Sequence, residues 1–202
     1  MTGAVLAGGR SKRMEGRDKS RLTRDGVRVL TGLAGLLREV CGECILVARE
    51  EQMQELEALD AGQVYADLFP GRGPLGGLYT ALEESEADIF LVACDLPYLT
   101  KPLLERIRGA YSALQDRAFA LVPRTADLSR VEDPWQPEPL CAIWSRHCRR
   151  PAYVALEAEE LSVSNFARQV KAHWLDLTVL EAQQLRNINS PRELESGLEI
   201  PS

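Results

Sequence analysis

Histidine is scarce in this sequence: among 202 residues there are only His147 and His173. No partner for a metal site or a catalytic pair is spaced near either, so both read as structural or surface residues. Long apolar runs are missing too. None approaches the ~20 residues of a membrane-spanning helix. The apolar opening, Met1 to Gly9, is too short for a span or a signal peptide and lacks a preceding basic segment, so a cytoplasmic protein with no membrane partner is expected. An excess of positive charge is absent, since the formal net charge is −6, and the molecule as a whole has no reason to seek nucleic acid. Cysteine is sparse and odd in number, at five, which fits reduced thiols better than a disulfide framework. Cys41-Gly42-Glu43-Cys44 has CxxC spacing, but Cys141 and Cys148 do not form a second such pair. Cys44 also opens an apolar run, so packing is the expected role.

What is present is an alternation of short apolar runs with amphipathic stretches. Ala4–Ala7, Cys44–Ala48, Val64–Tyr65, Ile89–Cys94, Phe119–Val122 and Leu140–Trp144 read as strands. Several are apolar on consecutive residues, as strands covered on both faces are. Leu33, Leu36, Leu37 and Val40 share a helical face, as do Leu103, Leu104, Ile107, Ala110, Tyr111 and Leu114, with Pro102 tolerated near the start. Glu51–Leu59 and Leu75–Glu84 are further helices. Thr125–Pro139 reads as a long loop between two strands. Beyond Pro151 the chain is mostly helical, with a strand near Trp174–Leu177 and a last strand–helix piece, Asn187-Ile188-Asn189 then Pro191–Leu198. The expectation is one α/β domain over residues 1–202, a Rossmann-like three-layer sandwich with a mostly parallel central sheet.

Three segments carry chemistry. In the first, a buried strand ends in Gly8-Gly9, and Arg10, Lys12, Arg13, Arg17, Lys19, Arg21 and Arg24 crowd the next stretch of an otherwise acidic chain. A glycine turn beside clustered cations at a strand's carboxyl end suits a triphosphate. No Gly-Lys-Ser/Thr follows, and GxGxxG is absent, so the loop is neither a Walker A motif nor a dinucleotide fingerprint. A solvated basic face is the plainer reading of these residues alone. In the second, Ile89-Phe90-Leu91-Val92-Ala93-Cys94-Asp95-Leu96-Pro97, a buried strand ends in a carboxylate where open α/β sheets bind ligands. Asp95 suits Mg²⁺, which takes few protein carboxylates and fills its shell with water and phosphate oxygens. Capping the helix near Thr100 is the alternative, although Thr100 is itself a good cap. The third is Pro70-Gly71-Arg72-Gly73-Pro74-Leu75-Gly76-Gly77-Leu78, read as a loop whose backbone presses against a flat ring.

Taken in order, Leu6-Ala7-Gly8-Gly9-Arg10-Ser11-Lys12-Arg13-Met14 with Asp18-Lys19, then Gly73-Pro74-Leu75-Gly76-Gly77-Leu78, then Cys94-Asp95-Leu96-Pro97, resemble the molybdenum cofactor guanylyltransferases. Pro139-Leu140-Cys141-Ala142 and Asn187-Ile188-Asn189-Ser190-Pro191 extend the likeness over nearly the whole chain. The resemblance implies transfer of GMP from GTP to molybdopterin with release of pyrophosphate. Residues of about 1–100 would hold the nucleotide and those of about 101–202 the acceptor. Leu6, Ala7, Gly8 and Gly9 would line the nucleotide, Lys19 and Arg13 would face phosphates, Asp67 would bind the nucleoside, and Asp95 would ligate Mg²⁺. Gly73, Pro74, Leu75 and Gly76 belong to the loop assigned to the base, whose backbone carbonyls would take the donors of guanine. Molybdoenzymes or other cofactor-biosynthesis proteins are the implied protein partners. Two positions depart from the family pattern: Glu15 stands where Gly is usual, and Ala48 where a polar Asn is frequent.

The acceptor in such a reaction is a phosphate monoester, already anionic near neutral pH. It needs no general base, which suits a chain with two histidines; alignment and charge neutralisation do the work. Arg146, Arg149 and Arg150 are weaker candidates for holding acidic groups of the acceptor. A relative that uses CTP or a sugar phosphate, and a non-catalytic nucleotide-binding protein of the same fold, remain the rival readings.

Overall fold

The computed structural model describes residues 1–8, 18–114, 118–126 and 134–188, and the backbone of 198–199. Gly9, Arg13 and Glu15, the rest of the basic stretch through Arg17, and Asn189 to Pro191 lie outside the described residues.

Four parallel strands form one half of the main sheet: β1 (Thr2–Leu6), β4 (Cys44–Ala48), β5 (Gln63–Ala66) and β6 (Ile89–Ala93). β1 pairs with both β4 and β6, and β4 pairs with β5. The other half is mixed. β9 (Cys141–Trp144) runs antiparallel to β6 and to β7 (Ala120–Ala126), while β10 (His173–Asp176) runs parallel to β7. The order across the sheet is β5-β4-β1-β6-β9-β7-β10. A two-stranded hairpin, β2 (Thr23–Arg24) and β3 (Val27–Arg28), turns at Asp25-Gly26 and pairs with β11 (Leu198–Glu199).

Side chains alternate along each central strand and feed two cores. Val5, Leu46, Phe90 and Ile143 pack toward α1 (Val29–Cys41), α4 (Lys101–Ser112) and the short α2 (Met53–Glu57), whose Leu56 joins the same core. Ala4, Val47, Leu91 and Trp144 pack toward α3 (Gly73–Ser85), α5 (Arg149–Glu157) and α6 (Val163–Gln169). Helices therefore cover both faces, which is why the central runs are apolar at consecutive positions. The expected three-layer α/β sandwich is the fold observed.

Three local expectations are corrected. The stretch Thr125–Pro139 is not all loop: β7 continues to Ala126, and β8 (Trp135–Pro137) pairs with it antiparallel, with the Arg124 guanidinium 4.3 Å from the ring centre of Trp135. Thr100 occupies the N-cap position of α4 but makes no capping bond; its hydroxyl donates to Gln184 at 2.6 Å. Gln184 closes α7 (Val179–Gln184), a helix with no apolar face for periodicity to reveal, since none of its residues is buried.

The third correction concerns the glycines. Gly73 to Gly77 form the first turn of α3 and not a loop leading to it. Gly73 takes φ +68°, which glycine adopts without a Cβ penalty, and Pro74 follows where its missing N–H costs nothing. Gly76 and Gly77 are tolerated inside a helix because two other segments press against them. A Cβ on Gly76 would lie 2.9 Å from the Phe69 carbonyl oxygen and 3.2 Å from Asp67 Oδ1; one on Gly77 would lie 2.9 Å from Leu6 Cδ2.

Candidate functional site

The carboxyl ends of the parallel strands open into a cleft of about 720 Å³, within the range of small-molecule sites. Leu6 and Gly8 line it from β1, Ala48 and Arg49 from β4, Asp67 from beyond β5, and Cys94 to Leu96 from beyond β6. Glu138 to Cys141 close one end, and Asn187 reaches in from the C-terminal segment. The site sits where strand order reverses between β4 and β6 on either side of β1, the usual ligand position in open α/β sheets.

Lys19 and Asp95 meet in this cleft. Lys19 Nζ is 2.5 Å from Asp95 Oδ2, and the two side chains are 14% and 11% exposed. They lie 76 residues apart in sequence, so only folding joins them. Asp95 is placed by the end of β6 and by its neighbours' backbone bonds, Cys94 N–H to the Leu6 carbonyl and Ile188 N–H to the Asp95 carbonyl. It caps no helix.

Lys19 is held by its neighbour. Asp18 Oδ1 accepts from Ser20 N–H and Ser20 Oγ, closing a short 3-10 turn over Lys19–Arg21. Asp18 Oδ2 accepts from Gln52 Nε2 at 2.7 Å and from Arg49 Nη2 at 3.0 Å. Gln52, itself buried, also donates to the Ala7 carbonyl at 3.3 Å, so the turn is tied to the end of β1. Arg49 and Gln52 escaped sequence reasoning. Their only signal was a position just past the end of a buried strand.

Asp67 follows β5. Its Oδ1 accepts from Phe69 N–H at 2.9 Å and from Thr80 Oγ1 at 3.3 Å, while no group among the described residues hydrogen-bonds its Oδ2. Burial raises the Asp67 carboxyl above the usual carboxylate range, against the two bonds that lower it. Glu138 shows the same behaviour more strongly: burial pushes it up to about 7, opposed only by Thr125. Thr125 Oγ1 donates to Glu138 Oε1 across a long 3.4 Å. Glu138 was not among the residues singled out from sequence, where it lay inside a presumed loop.

The remaining expected residues divide. Leu6, Gly8, Gly73 and Pro74 line the cleft, and so does Gly77. Ala7 and Leu75 point into the two cores and are fully buried. Gly76 supports the Asp67 turn from behind. Arg146, Arg149 and Arg150 do not reach the cleft: β9 runs antiparallel to β6, so the residues after it emerge at the opposite sheet edge, where Arg146 N–H donates to Asp88 and Arg149 lies 3.5 Å from Glu83. Both histidines are exposed. All five cysteines are free, and burial raises Cys41 to about 11 and Cys44 to about 12, so these thiols are protonated packing groups. Among the described residues no three His, Cys, Asp or Glu side chains cluster as a metal site, and no helix is long and apolar enough to cross a membrane.

Residues 3–173 match the MobA-like NTP transferase domain. The chain is 32% identical to the probable molybdenum cofactor guanylyltransferase of Pelotomaculum thermopropionicum, covering 96% of this chain and 89% of that protein. It is 30% identical to the molybdenum cofactor guanylyltransferase of Desulfosudis oleivorans, covering 98% and 94%. Its fold is similar to that of molybdopterin-guanine dinucleotide biosynthesis protein A from Archaeoglobus fulgidus, with a TM-score of 0.75 and 21% identity over 98% of this chain and 96% of that one.

Proposed function

The chain belongs to the MobA-like NTP transferase family, and from that premise we propose that it transfers GMP from GTP to molybdopterin, with pyrophosphate leaving. The observation that carries this reading is the Lys19–Asp95 pair in the middle of the cleft. A cation and a carboxylate in contact at the carboxyl edge of a parallel sheet are what a triphosphate needs on one side and a divalent cation on the other.

Asp95 fits Mg²⁺. Its Oδ2 is taken by Lys19, no described residue hydrogen-bonds its Oδ1, and a single carboxylate suffices where phosphate oxygens complete the shell. When bound, the ion supplies charge neutralisation at the phosphates. Lys19, fixed by the Asp18 turn, offers the same phosphates a charge-assisted hydrogen bond, so binding GTP exchanges its carboxylate partner for a phosphate. The acceptor's phosphate oxygen attacks the α-phosphorus, a new O–P bond forms, and the bond to the β-phosphate oxygen breaks. No protein base is required, because the attacking phosphate already carries negative charge.

Base choice falls to Asp67. The backbone carbonyls of Gly73 to Gly77 are poor readers of guanine, because they are committed to α3; the Gly76 carbonyl accepts from Thr80 Oγ1 as well. Asp67 instead lines the cleft with an oxygen, Oδ2, that no described residue hydrogen-bonds, and guanine offers it N1–H and the 2-amino group. Cytosine and adenine lack that adjacent pair. A buried polar group left unpaired costs ~1–3 kcal/mol, which translates to a preference for GTP over CTP or ATP of roughly fivefold to a hundredfold, at ~1.4 kcal/mol per decade. Measuring kcat/KM for each nucleotide with molybdopterin and Mg²⁺, by pyrophosphate release, tests this. CTP matching GTP would overturn the guanine assignment, and no release with any nucleotide would overturn transfer itself.

A further inference from the structure

The reaction above assigns no work to Glu138, yet Glu138 is among the least comfortable groups of the cleft. Its backbone is fully engaged: the N–H donates to the Pro123 carbonyl at 2.8 Å, and the carbonyl accepts from Cys141 N–H at 3.1 Å. The side chain is not. Oε1 receives only the 3.4 Å contact from Thr125, and no described residue hydrogen-bonds Oε2. A structural role would satisfy this half-buried carboxylate better, since an acceptor taken partly out of water without protein donors is a cost that folded proteins avoid.

Its position along the sheet edge points to a ligand. Asp67 follows β5, Asp95 follows β6, and Glu138 precedes β9, which lies next to β6 on the side away from β5. From β5 to β9 there are four inter-strand spacings, roughly 19 Å at ~4.8 Å each. The two underbonded carboxylates thus stand on either side of the Lys19–Asp95 pair. If the base of the nucleotide occupies the Asp67 end and phosphorus lies at Asp95, the body of the acceptor extends toward Glu138.

We propose that Glu138 reads the acceptor's ring system, its carboxylate accepting the adjacent ring N–H and exocyclic amino hydrogens of a pterin. A pterin carries this donor pair in the same arrangement as guanine, so the cleft uses one device twice, once at each end. The raised pKa of Glu138 agrees: a desolvated carboxylate lacking donors holds its proton, and a ligand bringing two donors stabilises the ionised form. The proposal rests on the reading that the acceptor is molybdopterin.

The test is a fluorescence titration of the full chain, without GTP, using a pterin phosphate monoester and its lumazine counterpart, in which oxygen replaces the 2-amino group. The native protein should prefer the pterin by at least ~tenfold, equivalent to ~1.4 kcal/mol. Glu138→Gln and Glu138→Ala should both lose most of that preference. In the transfer assay, the same variants should raise KM for molybdopterin about tenfold and leave KM for GTP within about twofold. No preference in the native protein, preference retained in Glu138→Ala, or both KM values rising together would each overturn the assignment. Failure of the native protein to release pyrophosphate from GTP would instead sink guanylyl transfer, while the titration would still decide what Glu138 binds.

Discussion

Asp67 and Glu138 stand at opposite ends of one cleft, and the chain supports them differently. Asp67 sits one residue past a parallel strand, bonded to Phe69 N–H and Thr80 Oγ1, with Gly76 so near that a Cβ there would lie 3.2 Å from its Oδ1. Glu138 stands just before the antiparallel strand β9, with one long bond from Thr125. Burial raises both carboxyls, but only Glu138 reaches about 7. The Asp67 carboxylate is thus held by the protein's own donors, whereas Glu138 is left short of them, the shortage that the proposed pterin contact would fill.

The largest effect is expected between the two ends, at the Lys19–Asp95 pair. Asp95→Asn should cut turnover at least ~100-fold, a loss of roughly 2.7 kcal/mol in transition-state stabilisation. Thermal stability should change little, because Asp95 lies at a strand end in the cleft and not in either core. Unchanged turnover at saturating Mg²⁺ would remove Asp95 from the reaction. Next in size, Lys19→Ala should lower kcat/KM for GTP about thirtyfold, roughly 2 kcal/mol at 1.36 kcal/mol per decade, and by more than Lys12→Ala does. Equal small effects would make the basic stretch a solvated face.

The weakly supported end can be tested through stability. The folded pKa of Glu138, about 7, lies above the ~4.3 of an unperturbed glutamate. Below ~4.3 both states hold the proton, and Glu138 changes nothing. As pH rises from there to about 7, the unfolded chain ionises first, so the group progressively destabilises the fold, and the penalty is complete above 7. Glu138→Gln should therefore stabilise the ligand-free protein by ~1–2 kcal/mol at pH 8, after discounting for partial exposure, and by nothing at pH 4. Denaturant melts at both pH values decide it; equal effects would mean the carboxylate is not desolvated. At the well-supported end, Gly76→Ala should cost ~1–2 kcal/mol of stability and raise KM for GTP, because its Cβ meets the Phe69 carbonyl and the Asp67 carboxylate. Gly77→Ala should cost less, since the mobile tip of the Leu6 side chain can yield. A reversed ranking in thermal melts would show that α3 does not brace Asp67.

Much of the parallel half was legible. Cys44–Ala48 matches β4 residue for residue, and the runs at Ala4 and Ile89 locate β1 and β6 within two residues at either end. Buried parallel strands are continuous apolar runs, and the ligand edge lies where they stop, so Asp95 could be nominated from its own motif, whereas the roles expected of Lys19 and Asp67 came from the family resemblance. The mixed half was less legible. β8 is three residues including a proline, Trp135-Gln136-Pro137, at an edge of the sheet where apolar periodicity is weak. The glycine pair at 76 and 77 was misleading because intrinsic propensity opposes a helix there, and tertiary contact overrode it.

By itself the sequence put forward the residue types suited to phosphate and metal, because a strand end, a glycine turn and a lone carboxylate each announce themselves locally. Only the tertiary structure decided how they combine. The Lys19–Asp95 contact, the buried Asp18–Gln52–Arg49 tie and the exile of Arg146–Arg150 to the far edge all depend on strand order and direction. Those are settled by which apolar faces bury against which helices, a non-local balance that no short window of residues contains.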